Sequence, residues 1–109
     1  MTGRFGRAAV AYASLAGATV ACSRPIPRVH TVTIQNFAFA PLELTVALGD
    51  TVVWSNKDFV PHTATARDTG WDSQAIGSSG TWRFVAGTSG RHDYYCVFHP
   101  NMKATIVVQ

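Results

Sequence analysis

The sequence predicts an all-β domain, an antiparallel sandwich or barrel of about seven short strands. In several runs, apolar residues alternate with polar ones, which is the pattern of strands with one buried face. Turn-forming Gly, Pro, Asn and Asp lie between these runs, and no helical pattern of useful length appears after residue 28. The 109 residues suit a single domain with a modest core.

The predicted strands follow one another closely along the chain. The first begins at His30, where Val32 and Ile34 alternate with polar residues. The others are predicted at residues 42–46, 51–56, 62–67, 81–85, 91–96 and 103–108. A stretch rich in Gly and Ser, residues 68–80, predicts a longer loop.

The first 21 residues differ in character from the rest. Arg4 and Arg7 precede an uncharged, Ala-rich stretch that ends in the small residue Ala21. This arrangement is typical of a secretory signal peptide, and the apolar part is shorter than the ~20 residues that a membrane span needs. We predict an export signal over 1–21, a tether over 22–28 and a folded domain over 29–109; a helical or disordered tail is the alternative for the first segment.

Cys22 directly follows the predicted cleavage point. The run Thr-Val-Ala-Cys at 19–22 resembles a bacterial lipoprotein box, in which the cysteine becomes the lipidated first residue, although Thr19 departs from the usual aliphatic residue. Lipidation and simple cleavage therefore both stay open.

The charge of the chain depends on the predicted export signal. Without the first 21 residues the chain carries seven Lys+Arg against six Asp+Glu, a net charge of +1 instead of +3. No basic run with interleaved aromatic residues follows, so we expect no nucleic-acid partner.

A candidate metal site lies near the end of the chain. Cys96, His99 and Met102 are three residues apart from one another, so a loop leaving a strand can turn all three side chains toward one ion. His62, at a predicted strand start, is available as a second imidazole. A thiolate, two imidazoles and a weak axial thioether are the ligands of blue-copper electron-transfer sites. We therefore predict these four side chains as copper ligands, with zinc as the main competing metal.

Five stretches of the chain carry a family resemblance. They are residues 39–41, 49–58, 61–63, 72–73 and 90–96. Together they resemble the plastocyanin and azurin family of cupredoxins, and the likeness covers nearly the whole predicted mature chain. The two residues between His99 and Met102 are similar to the spacing in amicyanins.

The resemblance implies a cupredoxin-like Greek-key sandwich of eight strands that carries one type 1 copper ion. It also implies single-electron transfer in the periplasm. By position in the family motif, the implied copper ligands are again His62, Cys96, His99 and Met102.

Two residues depart from the family pattern. Many members have Asn after the first ligand histidine, where it helps to fix the cysteine loop, whereas this chain has Thr63. The family often has Tyr where this chain has His92. His92 lies four residues before Cys96, or roughly 13 Å along a strand, so both cannot bind one ion. We expect His92 to be a core histidine and His30 a surface one.

Electron transfer would require redox partners that dock briefly near His99. Pro61, Val97, Phe98 and Pro100 predict an apolar rim around that histidine. Analogy with amicyanins points to a dehydrogenase as donor and a c-type cytochrome as acceptor. We expect a monomer whose only membrane attachment would be a lipid at Cys22.

Other interpretations stay open. Cys96 could be a buried hydrophobe or could pair with Cys22 in a disulfide. The protein could be a copper chaperone or store, although such sites tend to be open and rich in Met or His. An enzyme related to multicopper oxidases or copper nitrite reductases would need paired His-x-His motifs, and the sequence has none. We expect the protein not to be an enzyme.

Overall fold

The structure of the chain, a computed structural model, describes residues 26–109 together with the isolated residues 3, 6, 11 and 17. Most of the predicted signal peptide, Cys22 and most of the predicted tether lie outside the described residues. In the part that is described, no helix has the length and apolar character to cross a membrane.

Eight strands make up the described domain. They are β1 Val29–Gln35, β2 Ala38–Ala40, β3 Glu43–Val46, β4 Thr51–Asn56, β5 Thr65–Ala66, β6 Thr81–Val85, β7 Gly90–Tyr95 and β8 Lys103–Val108. One four-stranded sheet has the order β2-β1-β4-β6 and the other has the order β3-β8-β7-β5. The predicted all-β sandwich is confirmed.

The sheets are mixed, whereas the sequence predicted antiparallel pairing throughout. β1 pairs with β4 in parallel, and β3 pairs with β8 in parallel. The physical reason is the path of the chain, which leaves the first sheet after β2, forms β3 in the second sheet and then returns as β4. Alternation identifies the buried face of a strand but does not identify its neighbour.

Two elements differ in extent from the prediction. β2 was not predicted, and the strand predicted over 62–67 is regular only at Thr65–Ala66. The backbone of His62 bonds instead to Ile76 on the long loop, and the N–H of Thr63 points at the sulfur of Cys96. The chain therefore leaves the strand ladder where it approaches the candidate site.

Aromatic side chains join the two sheets. Trp54 on β4 and Tyr94 on β7 are fully buried and meet edge to face, with ring centroids 5.5 Å apart. Phe39 of β2 contacts the same tyrosine at 4.7 Å. Burying a large apolar side chain contributes about 1.5–3 kcal/mol. Burial also raises the pKa of Tyr94 far above its ordinary value.

Asp50 fastens the turn before β4. Its carboxylate accepts the N–H groups of Arg28 and Ala47, each at 2.9 Å, and contacts Nε2 of His30 at 2.9 Å. These hydrogen bonds lower the pKa of Asp50 to about 2. His30 is therefore a partly buried partner of this carboxylate, with 23% of its side chain exposed.

His92 lies in the core, 9% exposed, and both of its ring nitrogens face acceptors. Nδ1 contacts a carboxylate oxygen of Asp68, and Nε2 lies 2.8 Å from the carbonyl oxygen of Thr88. The Asp68 hydrogen bond raises the pKa of His92, and the same bond lowers the pKa of Asp68. The ring thus links β7 to the loop that carries Asp68 and to the loop that carries Thr88.

This pair predicts a pH-dependent stability of the metal-free protein. Because the pKa of His92 is raised above 6.5, its contribution is complete below pH 6.5 and is lost as pH rises through the pKa of the folded state. Because the pKa of Asp68 is lowered from 3.8, its contribution is lost only as pH falls below that value. Urea unfolding at several pH values should show both losses. Asp68→Asn should remove the loss above pH 6.5, and an unchanged pH profile in that variant would contradict the pairing.

Candidate metal centre

The loop between β7 and β8 consists of two successive turns. The N–H of His99 donates to the carbonyl oxygen of Cys96 at 3.2 Å, and the N–H of Met102 donates to that of His99 at 2.8 Å. The N–H of Cys96 donates to the carbonyl oxygen of Met102 at 3.1 Å and closes the loop. A turn repeats every three residues here, so the spacing seen in the sequence returns Cys96, His99 and Met102 to one end of the sandwich.

The sulfur of Cys96 and one nitrogen of each imidazole form a compact triangle. Its sulfur is 3.7 Å from Nδ1 of His62 and 3.7 Å from Nδ1 of His99. The three potential donor atoms all lie within 4.8 Å of one another. Cys96 and His62 are fully buried, whereas His99 is partly exposed. The structure thus brings together three of the four predicted donors from two distant parts of the chain.

These separations fit a bound metal ion. Zinc bonds are ~2.3 Å long to sulfur and ~2.0–2.1 Å long to nitrogen. At trigonal or tetrahedral angles, a sulfur and a nitrogen bound to the same ion are therefore ~3.6–3.8 Å apart. The observed distance of 3.7 Å from the sulfur to each imidazole nitrogen agrees with that range. A copper ion in the trigonal plane of a blue-copper site uses the same N and S donors.

Met102, the fourth predicted donor, is also at this end of the domain. It is 5% exposed and belongs to the hydrophobic core. Together with Phe37 and His99 it lines a shallow surface groove. Its thioether therefore stays the predicted fourth, soft donor, carried by the same loop as Cys96 and His99.

A carboxylate fixes the orientation of the buried imidazole. Nε2 of His62 lies 2.8 Å from Oδ2 of Asp58, so Nε2 carries the proton and donates it to the carboxylate. The lone pair of Nδ1 is then free on the side that faces Cys96. Metal-binding histidines commonly have such a partner, which sets the tautomer and increases the basicity of the ligand.

Asp58 also supports the turn between β1 and β2. It accepts the N–H of Asn36 at 2.7 Å and that of Phe37 at 2.9 Å. Partial burial raises the pKa of Asp58, but the hydrogen bonds from Phe37, His62 and Asn36 outweigh burial and hold that pKa below its ordinary value. The carboxylate is therefore ionised at neutral pH.

The supported turn places an aromatic ring over the site. Asn36 and Phe37 both have left-handed backbone conformations, with φ of 54° and 55°. Such values are uncommon for non-glycine residues and strained for a bulky one, and they fit a two-residue hairpin turn. The ring of Phe37 meets His62 edge to face at 5.2 Å and His99 at 4.9 Å. It packs against both imidazoles.

Thr63 makes the contacts that the sequence left undecided. Its N–H donates to the sulfur of Cys96 at 3.3 Å, and its hydroxyl oxygen accepts the N–H of Val97 at 2.9 Å. The threonine therefore holds the backbone just after the cysteine as well as the cysteine sulfur.

Sequence reasoning did not identify Asp58 or Phe37 as parts of the site. Asp58 lies four residues before His62, and that spacing was the one available signal. Phe37 is distant in the sequence from every predicted ligand and reaches the site only through the turn conformation. His30 and His92 take other roles, as described above.

Exposed apolar side chains surround the partly exposed histidine. Nδ1 of His99 faces the buried sulfur, and the residue as a whole is partly exposed. Val97 is 43% exposed, Phe98 52% and Phe37 52%. Pro100 lines the same groove as His99 and is exposed.

Comparison with known proteins shows that the chain is similar to cupredoxins. The profile of the cupredoxin-like domain family matches residues 8–108. The amicyanin of Paracoccus versutus is 23% identical over 83 residues, which cover 72% of this chain and 63% of that protein. Amicyanin-alpha of Methylorubrum extorquens is 27% identical over 105 residues, covering 91% of this chain and 88% of that protein. The chain thus spans less than two thirds of the Paracoccus relative.

The chain also resembles solved structures of copper proteins. A copper(I) structure of an amicyanin variant superposes with a TM-score of 0.70 at 27% identity and covers 74% of this chain and 82% of that chain. A copper-containing nitrite reductase from Thermus scotoductus superposes with a TM-score of 0.69 at 26% identity. That match covers 79% of this chain but only 23% of the reductase.

The hydrogen bond between His62 and Asp58 predicts that this carboxylate affects the metal affinity and the reduction potential. Asp58→Asn removes a negative charge from beside His62, so it should weaken Cu(II) binding by about 10–100-fold. Cu(I) carries less charge and should be affected less, so the reduction potential should rise. Competition with a Cu(II) chelator and a redox titration measure the two effects. Equal affinity and potential in the variant and the parent protein would contradict the role assigned to Asp58.

Proposed function

The chain belongs to the cupredoxin-like domain family, and from this membership and its donor geometry we propose that it is a type 1 copper protein that transfers single electrons. Its cofactor is one copper ion. The proposed ligands are His62, Cys96, His99 and Met102. The observation that carries the proposal is the fully buried Cys96 sulfur at 3.7 Å from each imidazole Nδ1.

The donor set suits a one-electron couple. Copper bound here supplies the Cu(I)/Cu(II) pair, with thiolate and thioether favouring Cu(I) and imidazole accepting both states. The protein supplies rigidity, because two turns hold the loop and a carboxylate holds His62. Side chains that need not move between oxidation states keep the barrier to electron transfer low.

The surroundings of the site favour a carrier over a copper chaperone or store. The thiol is fully buried, and Phe37 covers both imidazoles, so release of the ion would require part of the site to open. An electron can leave through the exposed edge of His99 without that opening.

We also propose that the protein is not an enzyme. Among the described residues, His62, Cys96 and His99 form the single cluster of three or more His, Cys, Asp or Glu side chains with metal-binding spacing. The copper nitrite reductase that resembles this chain is more than four times as long as the matched part, since the match covers 23% of it. Substrate chemistry would need groups beyond those present at this site.

The apolar rim around His99 is the proposed docking surface. Its exposed side chains include Val97 and Phe98, and Phe59 on the neighbouring loop is 97% exposed. Transient redox complexes bury small areas, below ~1,200 Å² in total, so an apolar contact of this size fits brief encounters. The proposed partners are redox proteins such as a c-type cytochrome or a dehydrogenase, which meet a monomeric carrier in the periplasm.

The export signal remains part of the proposal, with simple cleavage and a lipid anchor at Cys22 as its two forms. The mass of the mature N-terminus, measured on protein exported by a bacterial host, tests both. An uncleaved N-terminus would overturn the periplasmic assignment, and a lipid-modified Cys22 would establish attachment to the membrane.

Cys96→Ser tests the copper site. The parent chain from residue 22 onward should turn intensely blue with Cu(II), because charge moves from sulfur to copper, and ascorbate should bleach it. The variant should lose that band completely. Cys22→Ser is the matched control and should keep it. A pale parent complex, or a blue colour that survives loss of Cys96, would refute the site.

Pro100→Glu tests the docking surface through electron self-exchange between Cu(I) and Cu(II) copies, followed by NMR. Facing carboxylates in an apolar contact should slow the exchange by about 10-fold or more. Val85→Glu is the control of equal charge. Val85 is 58% exposed and lies beside Thr51, at the end of β4 away from Asn56 and the site. Equal exchange rates in the two variants, with unchanged blue bands, would place the contact elsewhere.

A further inference from the structure

A row of side-chain oxygens leads from the copper loop to an exposed carboxylate. The hydroxyl oxygen of Thr63, which accepts the Val97 N–H, lies 2.9 Å from the hydroxyl oxygen of Thr65. The Thr65 oxygen lies 3.1 Å from Oδ1 of Asp72. Thr63 is 2% exposed, Thr65 is partly buried and Asp72 is exposed, so the row runs from the interior to the surface.

The number of donors and acceptors in the row determines the direction of its hydrogen bonds. Each threonine hydroxyl has one proton to donate, whereas an ionised carboxylate can only accept. The Thr65 proton therefore goes to Asp72, and the Thr63 proton goes to Thr65. The remaining lone pairs of Thr63 face the Val97 N–H. Every proton in the row then has an acceptor.

The outer end of the row is held firmly. Thr65 on β5 forms an isolated bridge with Asp72, and Asp72 also accepts the N–H of Gln74 at 2.8 Å. The N–H of Ser73 donates to Ala64 at 3.1 Å, and the N–H of Ala64 donates to the Ser73 hydroxyl at 2.7 Å. Asp72 is therefore a fixed acceptor and not a freely moving surface carboxylate.

At the inner end of the row, Thr63 contacts both the side chain of Cys96 and the peptide N–H of the residue that follows it. Thr63 donates its N–H to the sulfur of Cys96 and accepts the Val97 N–H through its side chain. The backbone at Thr63 has left the strand ladder. Its hydroxyl contacts the Val97 N–H and the Thr65 hydroxyl, and these hydrogen bonds orient the side chain.

We propose that Thr65 and Asp72 are positioning residues that act through the Thr63 hydroxyl to fix the backbone after Cys96 and hence the cysteine sulfur. Neither residue touches the proposed ligand atoms. The inference deepens the proposed function and rests on it for its effect on copper, but the hydrogen-bond row itself can be tested without metal.

Thr65→Val tests the row in the metal-free protein. Valine has nearly the same shape and suits a strand, but it removes the acceptor for the Thr63 proton. Amide hydrogen exchange at Val97, followed by NMR, should become about 10-fold faster. Thr65→Ser keeps the hydroxyl and should restore the parent rate within about twofold. Equal Val97 exchange in the parent protein and Thr65→Val would overturn the proposal.

The copper-loaded protein supplies a second readout. Release of Cu(II) to a chelator should be about 10-fold faster in Thr65→Val, and the sulfur-to-copper band should shift. Asp72→Asn keeps an acceptor oxygen and should behave like the parent, whereas Asp72→Ala should change in the direction of Thr65→Val. A variant that loses thermal stability while keeping the parent band and release rate would show a purely structural role and refute the positioning role.

The two proposals fail in different ways. If the parent protein gives no intense band with Cu(II), the proposed function fails, whatever happens at Val97. If the parent is blue and Thr65→Val is identical to it in band, release rate and amide exchange, the function stands and the positioning role fails.

Discussion

The site depends on keeping one buried sulfur at the same distance from two imidazole nitrogens. Nothing in the cysteine itself determines this position, so the surrounding backbone must. The two turns after β7 fix Cys96 and His99 relative to each other, and the peptide N–H of Thr63, just before the neighbouring strand β5, reaches the sulfur at 3.3 Å. Donors held this way meet an ion in a geometry that the fold has already determined, which is the requirement for fast electron transfer.

A single carboxylate contacts both the buried imidazole and the turn that carries Phe37. Asp58 accepts hydrogen bonds from His62 and from the left-handed residues Asn36 and Phe37. Residues in such conformations cost on the order of 1–3 kcal/mol each and persist where surrounding contacts over-determine them. Hydrogen bonds to an ionised acceptor are the stronger kind and can offset that cost. The strained turn and the tautomer of His62, a proposed ligand, therefore share one partner.

Most of the strands could be predicted from the sequence, because apolar and polar residues alternate along them. The loop that carries Cys96, His99 and Met102 could also be predicted, because their three-residue spacing matches the repeat of β-turns. The parallel pairs β1·β4 and β3·β8 could not, since alternation carries no information about which strands become neighbours. Phe37 could not be predicted as part of the site, because its position follows from a turn conformation that few aromatic residues adopt. The role of Thr63 stayed open for a similar reason, since its hydroxyl can act on the loop only once β5 and the loop lie side by side.

The most direct measurement is copper K-edge X-ray absorption on the loaded protein in both oxidation states. The donor geometry predicts one sulfur and two nitrogen neighbours at short distance in each state, with only small changes in bond length between them. A coordination sphere of nitrogen and oxygen alone, or a donor set that changes when the electron is added, would contradict it.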